Sequence, residues 1–272
     1  MQKGYWIVLA YFLCLCLMIV ASFYDLQIDI AIYNNQNFYA KFFDLFGELP
    51  FYALIPFCLC VIATYLKNSE KGWHLVLSFV CILFSFVMTC VCFQRFFGTL
   101  IEFYVVFLLS ILSISLLSYC LNKIKEETIT KLFRFSVFAI IYLVAILLCN
   151  QVIKMVWGRC RFYDMVDGEN FALFTPWWSI NGFGGGKSFY SGHVTSAMAL
   201  LCLLPLARIL NIDKKKYFAL NVLIIAFVAM VAVSRLIYGA HFLSDVTMAV
   251  IVCLSIYLLF YKLLGIKLFK IF

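Results

Sequence analysis

Apolar residues in this chain come in long uninterrupted runs that recur from one end to the other, and not in short alternating segments. Eight runs lie at about 5 to 23, 50 to 66, 75 to 94, 101 to 121, 136 to 153, 191 to 210, 217 to 237 and 244 to 262. Each is close to the ~17–25 residues that carry a helix across ~30 Å of hydrocarbon. A membrane barrel would instead show strands of ~10 alternating residues. The second run is short and interrupted by Pro56, and the third ends near Arg95. The first follows Met1-Gln2-Lys3 and closes on Ala21-Ser22-Phe23-Tyr24 with no small-x-small cleavage pattern, which marks a retained span and not a signal peptide. The pattern predicts an all-α polytopic transmembrane helix bundle, built as a single membrane domain over residues 1–272 without internal repeats.

Composition strengthens this reading. The chain of 272 residues is 66% hydrophobic and 12% charged, which excludes an ordinary soluble domain. Its net charge of +8 sorts by side. One set of span ends carries Lys3, Lys67, Lys71, Lys123, Lys125, Lys131, Arg134, Arg208, Lys214, Lys215, Lys216, Lys262, Lys267 and Lys270. The other has fewer cations and most of the acids, Asp25, Asp29, Asp44, Glu48, Asp164, Asp167 and Glu169. Lysine and arginine are retained inside, so both termini are expected in the cytoplasm, in a plasma-membrane protein. The positive charge is thereby explained without nucleic acid as a partner. The sequence says nothing about oligomeric state.

Two long loops, about 24 to 49 and 154 to 190, then face outward. In the first, Ile28 to Tyr33 and Phe42 to Phe46 read as amphipathic helix packed over the bundle. Of twelve cysteines, eleven lie in apolar runs and suit neither a metal site nor a disulfide framework. Cys160 is the exception, expected as a water-exposed thiol whose thiolate is favoured by nearby cations.

Polar chemistry collects at the outer ends of these runs. Lys154 to Arg161 follows the fifth, Ser191-Gly192-His193 opens the sixth, Ser234-Arg235 closes the seventh, and His241 to Asp245 opens the eighth. Charges this near hydrocarbon cost a few kcal/mol unless partnered, so convergence on one pocket accounts for all four placements. Lys154, Arg161 and Arg235 supply donors for phosphate oxygens, and the backbone of Ser191 and Gly192 at a helix start adds N–H groups. His241 and Asp245 are four apart, so on a helix the carboxylate can orient the imidazole. With two histidines at a tetrahedral anion, one attacks phosphorus and the other protonates the leaving oxygen. Arg159 reads equally as a further cradle member or as a solvated surface arginine. Gly182 to Ser188 lacks the spacing of a nucleotide loop and reads as a hinge ahead of Ser191, while Trp157, Trp177 and Trp178 read as interface anchors.

Lys154-x6-Arg161, Ser191-Gly192-His193 and Ser234-Arg235-x5-His241-x3-Asp245 resemble the three-part signature of the type 2 phosphatidic acid phosphatase family, which shares its active site with vanadium haloperoxidases. The resemblance covers roughly residues 136 to 262, the expected catalytic core. It implies that His241 is a nucleophile forming a phosphohistidine, Asp245 its orienting partner and His193 the general acid. It further implies that Lys154, Arg161, Ser191, Gly192 and Arg235 bind phosphate, with no metal and no cofactor. Phe162 and Tyr190 stand where the family usually has proline, which bears on loop geometry more than on chemistry. The expected function is hydrolysis of a membrane lipid phosphate or diphosphate, such as undecaprenyl diphosphate, phosphatidic acid or phosphatidylglycerophosphate, at the outer face of the bilayer. The alternatives are a lipid-linked phosphotransferase using the same histidine, and a non-catalytic transporter or scaffold that has kept the anion site.

Overall fold

In the computed structural model of the chain, residues 2–68, 71–98, 100–265 and 268 are described, and the regular structure among them is helical, without strands. The long helices are α1 (Gln2–Ile32), α3 (Leu49–Lys67), α4 (Gly72–Phe97), α5 (Phe103–Asn122), α6 (Glu126–Trp157), α10 (Lys214–Ile237) and α11 (Leu243–Phe260). Shorter pieces are α2 (Phe38–Phe46), α7 (Phe162–Asp167), α8 (Gly192–Met198) and α9 (Leu203–Ile209), the last two joined by a 3-10 turn into one segment. Eight segments of the described chain are long and apolar enough to cross a membrane, and they correspond one for one with the eight apolar runs. The chain is an all-helical, multi-pass membrane protein. Lys267 and Lys270 lie outside the described residues.

One boundary differs from expectation in a way that matters for the site. The first span does not end at residue 23, because α1 continues to Ile32 and takes Asp25 and Asp29 with it. No helix breaker intervenes before Asn34-Asn35-Gln36-Asn37, and the two aspartates, four apart, fall on one buried face. They are therefore core residues, not acids of an exposed loop. Asn37 then caps α2, its side chain accepting from the Ala40 N–H at 3.2 Å. Pro56 does not break α3, which runs through it.

The described residues cluster into two compact units, one of Met1–Glu48, Ala145–Met198 and Ile225–Ile256, the other of Leu49–Val144, Ala199–Ile224 and Tyr257–Phe272. The second unit has a core of Cys60, Val61, Ile114, Leu121, Ile129 and Leu132. Tyr65 stacks on Phe133 at its edge, with ring centroids 4.0 Å apart. Small polar side chains join its helices: Ser78 donates to the Ala63 carbonyl at 2.9 Å, and Ser85 to the Pro56 carbonyl at 2.9 Å with Cys60 Sγ 3.1 Å away. In lipid, such close contacts and hydrogen bonds hold helices together where hydrophobic burial offers little.

The first unit gathers α1, α2, α7, α8 and the site-bearing parts of α6, α10 and α11. Phe162, Met165 and Phe242 are buried together, with Leu26, Tyr33, Cys160, Val166 and Phe174 packed around them. Phe162 occupies the first position of α7, where proline is well tolerated, and uses it to bury an aromatic ring. Tyr190 is likewise fully buried. Both departures from the usual prolines are core side chains.

Ser85→Ala is expected to cost about 0.6 kcal/mol, the average for an interhelical hydrogen bond in a membrane protein. Ser85→Leu should cost more by forcing α3 and α4 apart. Unfolding in detergent checks both, and equal stability of the wild type and Ser85→Leu would show that the contact contributes nothing.

Candidate active site

Each polar cluster sits where a helix of the first unit starts or stops. Lys154 is in the last turn of α6, Arg235 in the last turn of α10, and Asp245 in the first turn of α11. The turn from α10 to α11 depends on Gly239, which has φ +73°, a left-handed conformation that side chains rarely adopt. The Ala240 N–H returns to the Arg235 carbonyl at 3.1 Å, so the chain reverses tightly and delivers His241 just ahead of α11. Ser191 precedes α8, and its Oγ accepts from the Val194 N–H at 3.4 Å while its own N–H donates to the Asp245 carbonyl at 3.2 Å.

The glycine-rich stretch before Ser191 is not a free hinge. The Gly182 N–H donates to the Val156 carbonyl at 3.1 Å and the Ser188 N–H to the Arg159 carbonyl at 3.0 Å, so it lies backbone to backbone along the end of α6. The tryptophans secure the same loop: Trp157 Nε1 donates to the Trp177 carbonyl at 2.6 Å, and Trp177 Nε1 to Ser22 Oγ at 3.1 Å.

At the centre is His241, 2% exposed, with Nδ1 2.7 Å from the Ser188 carbonyl. A carbonyl only accepts, so Nδ1 carries the proton and Nε2 keeps its lone pair. Asp245 Oδ2 is 3.7 Å from Nδ1, beyond hydrogen-bond reach, and its direct bonds go elsewhere. Oδ2 accepts from Ser188 Oγ at 2.5 Å and the Phe242 N–H at 2.9 Å, while Oδ1 accepts from Arg159 Nη1 at 2.6 Å. The expected His241–Asp245 pair is thus linked through Ser188.

Burial holds His241 down to about 4; Asp245 opposes this, and Lys154 and Arg161, both within electrostatic range, reinforce it. The ring is neutral at neutral pH.

Lys154 Nζ lies 3.0 Å from where a Cβ on Gly192 would be, which places the ammonium directly against the Ser-Gly-His turn. Arg161 donates through Nη1 to the Tyr163 hydroxyl, whereas its buried Nε has no hydrogen-bond partner. Each nitrogen of Arg235 has one partner in α2 or beside it: Nη1 meets Asp44 Oδ1 at 2.5 Å, Nη2 the Ala40 carbonyl at 2.9 Å, and Nε Ser234 Oγ at 3.3 Å. His193 points its Nε2 at the Asp44 carbonyl, 3.1 Å away, with Asp44 Oδ1 at 3.6 Å and Glu48 Oε1 3.9 Å from Nδ1.

Arg159 is neither a cradle member nor a surface arginine. It is wholly buried, bound to Asp25 Oδ2 at 2.9 Å and to Asp245 at 2.6 Å, with its Cζ over the Phe242 ring, 4.1 Å from the centroid. Cys160 also departs from expectation. Its Sγ faces the Arg161 carbonyl at 3.6 Å and packs in the Phe162–Met165–Phe242 cluster, not on the cationic pocket. The sequence reading missed Asp25, Asp44, Glu48 and Ser188 as site neighbours. The signal for Asp25 was an acid just past an apolar run with no breaker after it. Among the described residues, no three of His, Cys, Asp and Glu are grouped as a metal site.

Residues 135–267 match the family model of the PAP2 superfamily, and the match covers all three motifs. This segment belongs to that superfamily. The match supports a phosphatase-type enzyme acting on phosphate esters, and the eight long apolar helices of the described chain place it among multi-pass membrane proteins. No curated protein and no solved structure is significantly similar to it.

The pH dependence of folding should carry the mark of His241. Its folded value of about 4 is below the ordinary ~6.5, so between these limits the unfolded chain binds more protons and stability rises with pH. The contribution is complete above pH ~6.5 and is lost as pH falls toward 4. Thermal unfolding in detergent across this window should be flatter for His241→Gln than for wild type; identical profiles would mean that His241 is not buried neutral.

Proposed function

We propose that the chain hydrolyses a lipid phosphate or diphosphate at the outer face of the plasma membrane, without a metal, through a phosphohistidine on His241. The observation that carries this reading is the buried imidazole whose Nδ1–H is held by the Ser188 carbonyl, leaving Nε2 as the free lone pair. Nε2 attacks phosphorus as the bond to the leaving oxygen breaks, and His193 gives that oxygen its proton. Water, deprotonated by His193, then cleaves the P–N bond, releases phosphate and restores both rings. Lys154 and the unpartnered Arg161 Nε stand ready for the phosphate oxygens, with Ser191 and Gly192 opening the adjoining helix.

Support for a lipid comes from placement. Lys154, Gly192, Arg235 and Asp245 are all at the ends of segments apolar enough to span the bilayer, the level of a headgroup. Support for the outer face comes from lysine and arginine concentrating at the opposite ends. Undecaprenyl diphosphate, phosphatidic acid and phosphatidylglycerophosphate are the substrates to test first.

The deciding experiment is phosphate release from a panel of lipid monophosphates and diphosphates. Wild type should release phosphate in the presence of chelator and be inhibited by vanadate, and acid-labile label should accumulate on the protein. His241→Ala should abolish label and turnover, and His193→Ala should slow turnover by about 100- to 10,000-fold, least for good leaving groups. Near-full turnover in His241→Ala, or a strict need for added magnesium, would overturn the reading. Transfer of label to a second lipid in place of free phosphate would convert it to a phosphotransferase.

The Asp44 carboxylate bound to Arg235 competes with a phosphate for the same guanidinium. Asp44→Asn should therefore tighten vanadate inhibition by about tenfold, equivalent to ~1.4 kcal/mol. Weaker inhibition would instead make Asp44 the support that aims Arg235 at the anion.

A further inference from the structure

We infer that Asp25, on α1 and outside the PAP2 segment, is a positioning residue for His241 that acts through Arg159 and Asp245. The inference rests on the proposed role of His241. The contacts form one continuous buried chain. Asp25 Oδ2 accepts from Arg159 Nη2 at 2.9 Å and from the Ser244 hydroxyl, and its Oδ1 accepts from the Ser244 N–H at 3.0 Å. Arg159 Nη1 reaches Asp245 Oδ1 at 2.6 Å and Ser244 Oγ at 2.8 Å, and Nε the Thr175 carbonyl at 2.9 Å. Asp245 holds Ser188 Oγ, and the Ser188 carbonyl holds His241 Nδ1. Asp25 is 2% exposed, and Arg159, Ser188, Ser244 and Asp245 are all fully buried.

Charge explains why a second carboxylate is useful there. When Nε2 bonds to phosphorus the imidazole becomes cationic, and Asp245 is the nearest carboxylate, 3.7 Å from the ring. Asp245 alone with Arg159 forms a neutral pair, which offers that new positive charge little. Asp25 accepts three hydrogen bonds, from Arg159 and Ser244, which favour its ionised form; so charged, it makes the Asp25–Arg159–Asp245 cluster net negative, and in a water-excluded site that difference counts in the transition state. Asp25 also fixes the guanidinium by Nη2, so that Nη1 stays aimed at Asp245 and the Ser188 hydrogen bond keeps its register.

Asp29, one turn further along α1, gives an internal control: it too is fully buried, but neither of its carboxyl oxygens has a hydrogen-bond partner. The test uses the full-length protein in detergent or liposomes, with the lipid phosphate that wild type hydrolyses best. Asp25→Asn should lower kcat and the single-turnover rate of phosphoenzyme formation by about 10- to 100-fold, by analogy with the outer partners of metal-bound histidines. KM and vanadate inhibition should stay near wild type, because no phosphate contact is lost. Asp29→Asn should keep wild-type kcat. Combining Asp25→Asn with Asp245→Asn should add little to Asp245→Asn alone, since Asp25 works through Asp245. If Asp25→Asn does not fold, Ser244→Ala, which removes one contact each from Asp25 and Arg159, should show a smaller loss in kcat at constant KM.

Equal losses in Asp25→Asn and Asp29→Asn, a change in KM without one in kcat, or additive effects with Asp245→Asn would overturn the inference. Failure of the functional reading looks different: wild type would then release no phosphate, or His241→Ala would remain active.

Discussion

One guanidinium organises the unit that holds the candidate site. Arg159 is completely buried and binds two carboxylates that are 220 positions apart in the chain, Asp25 and Asp245. A charge in that position is tolerated only with partners, and removing one partner of a buried pair typically costs ~3–5 kcal/mol. The pairing therefore fixes α1 against α11 and the loop after α6, and it constrains every residue that follows from these elements. Ser188, Phe242 and His241 take their positions from the carboxylate that Arg159 holds.

The same economy explains how so many ionisable groups fit into an apolar chain. Most of them lie at helix ends or in the loops between, where backbone N–H and carbonyl groups are unpaired and can serve side chains. His241 uses a loop carbonyl, Asp245 a backbone N–H, Arg159 the Thr175 carbonyl and Arg235 the Ala40 carbonyl. Interior hydrocarbon is left to Phe, Leu, Val and Cys, with Ser and Thr as small bridges between helices.

Most of the fold is legible in the sequence because its cause is local. A run of some twenty apolar residues can be satisfied in lipid only as a helix, so all eight segments are readable without tertiary information. The motif residues are legible too, since His241 and Asp245 or Lys154 and Arg161 are neighbours along the chain. What escapes is the cross-chain wiring. Asp25 reaches Arg159 from 134 positions away, and Asp44 reaches Arg235 from 191, and nothing in either local sequence names its partner. Reading acids as loop markers also cut α1 short, although no breaker follows Asp25. Spacing suggested that Asp245 touches His241 directly, whereas a backbone carbonyl, invisible to any residue pattern, takes the ring N–H.

The length of α1 has a consequence for the bilayer. Its 31 residues rise about 46 Å at 1.5 Å each, well beyond a hydrocarbon core of ~30 Å. Its apolar run, residues 5 to 23, fits that core, and a helix normally meets a bilayer of another thickness by tilting or sliding, at a fraction of a kcal/mol per Å. Here one end is pinned through Asp25, so sliding would break a buried ion pair and only the opposite end is free to adjust. Membrane thickness thus bears on α1 as a lever with a fixed pivot, and a thicker or thinner bilayer would load the very carboxylate that steadies Arg159.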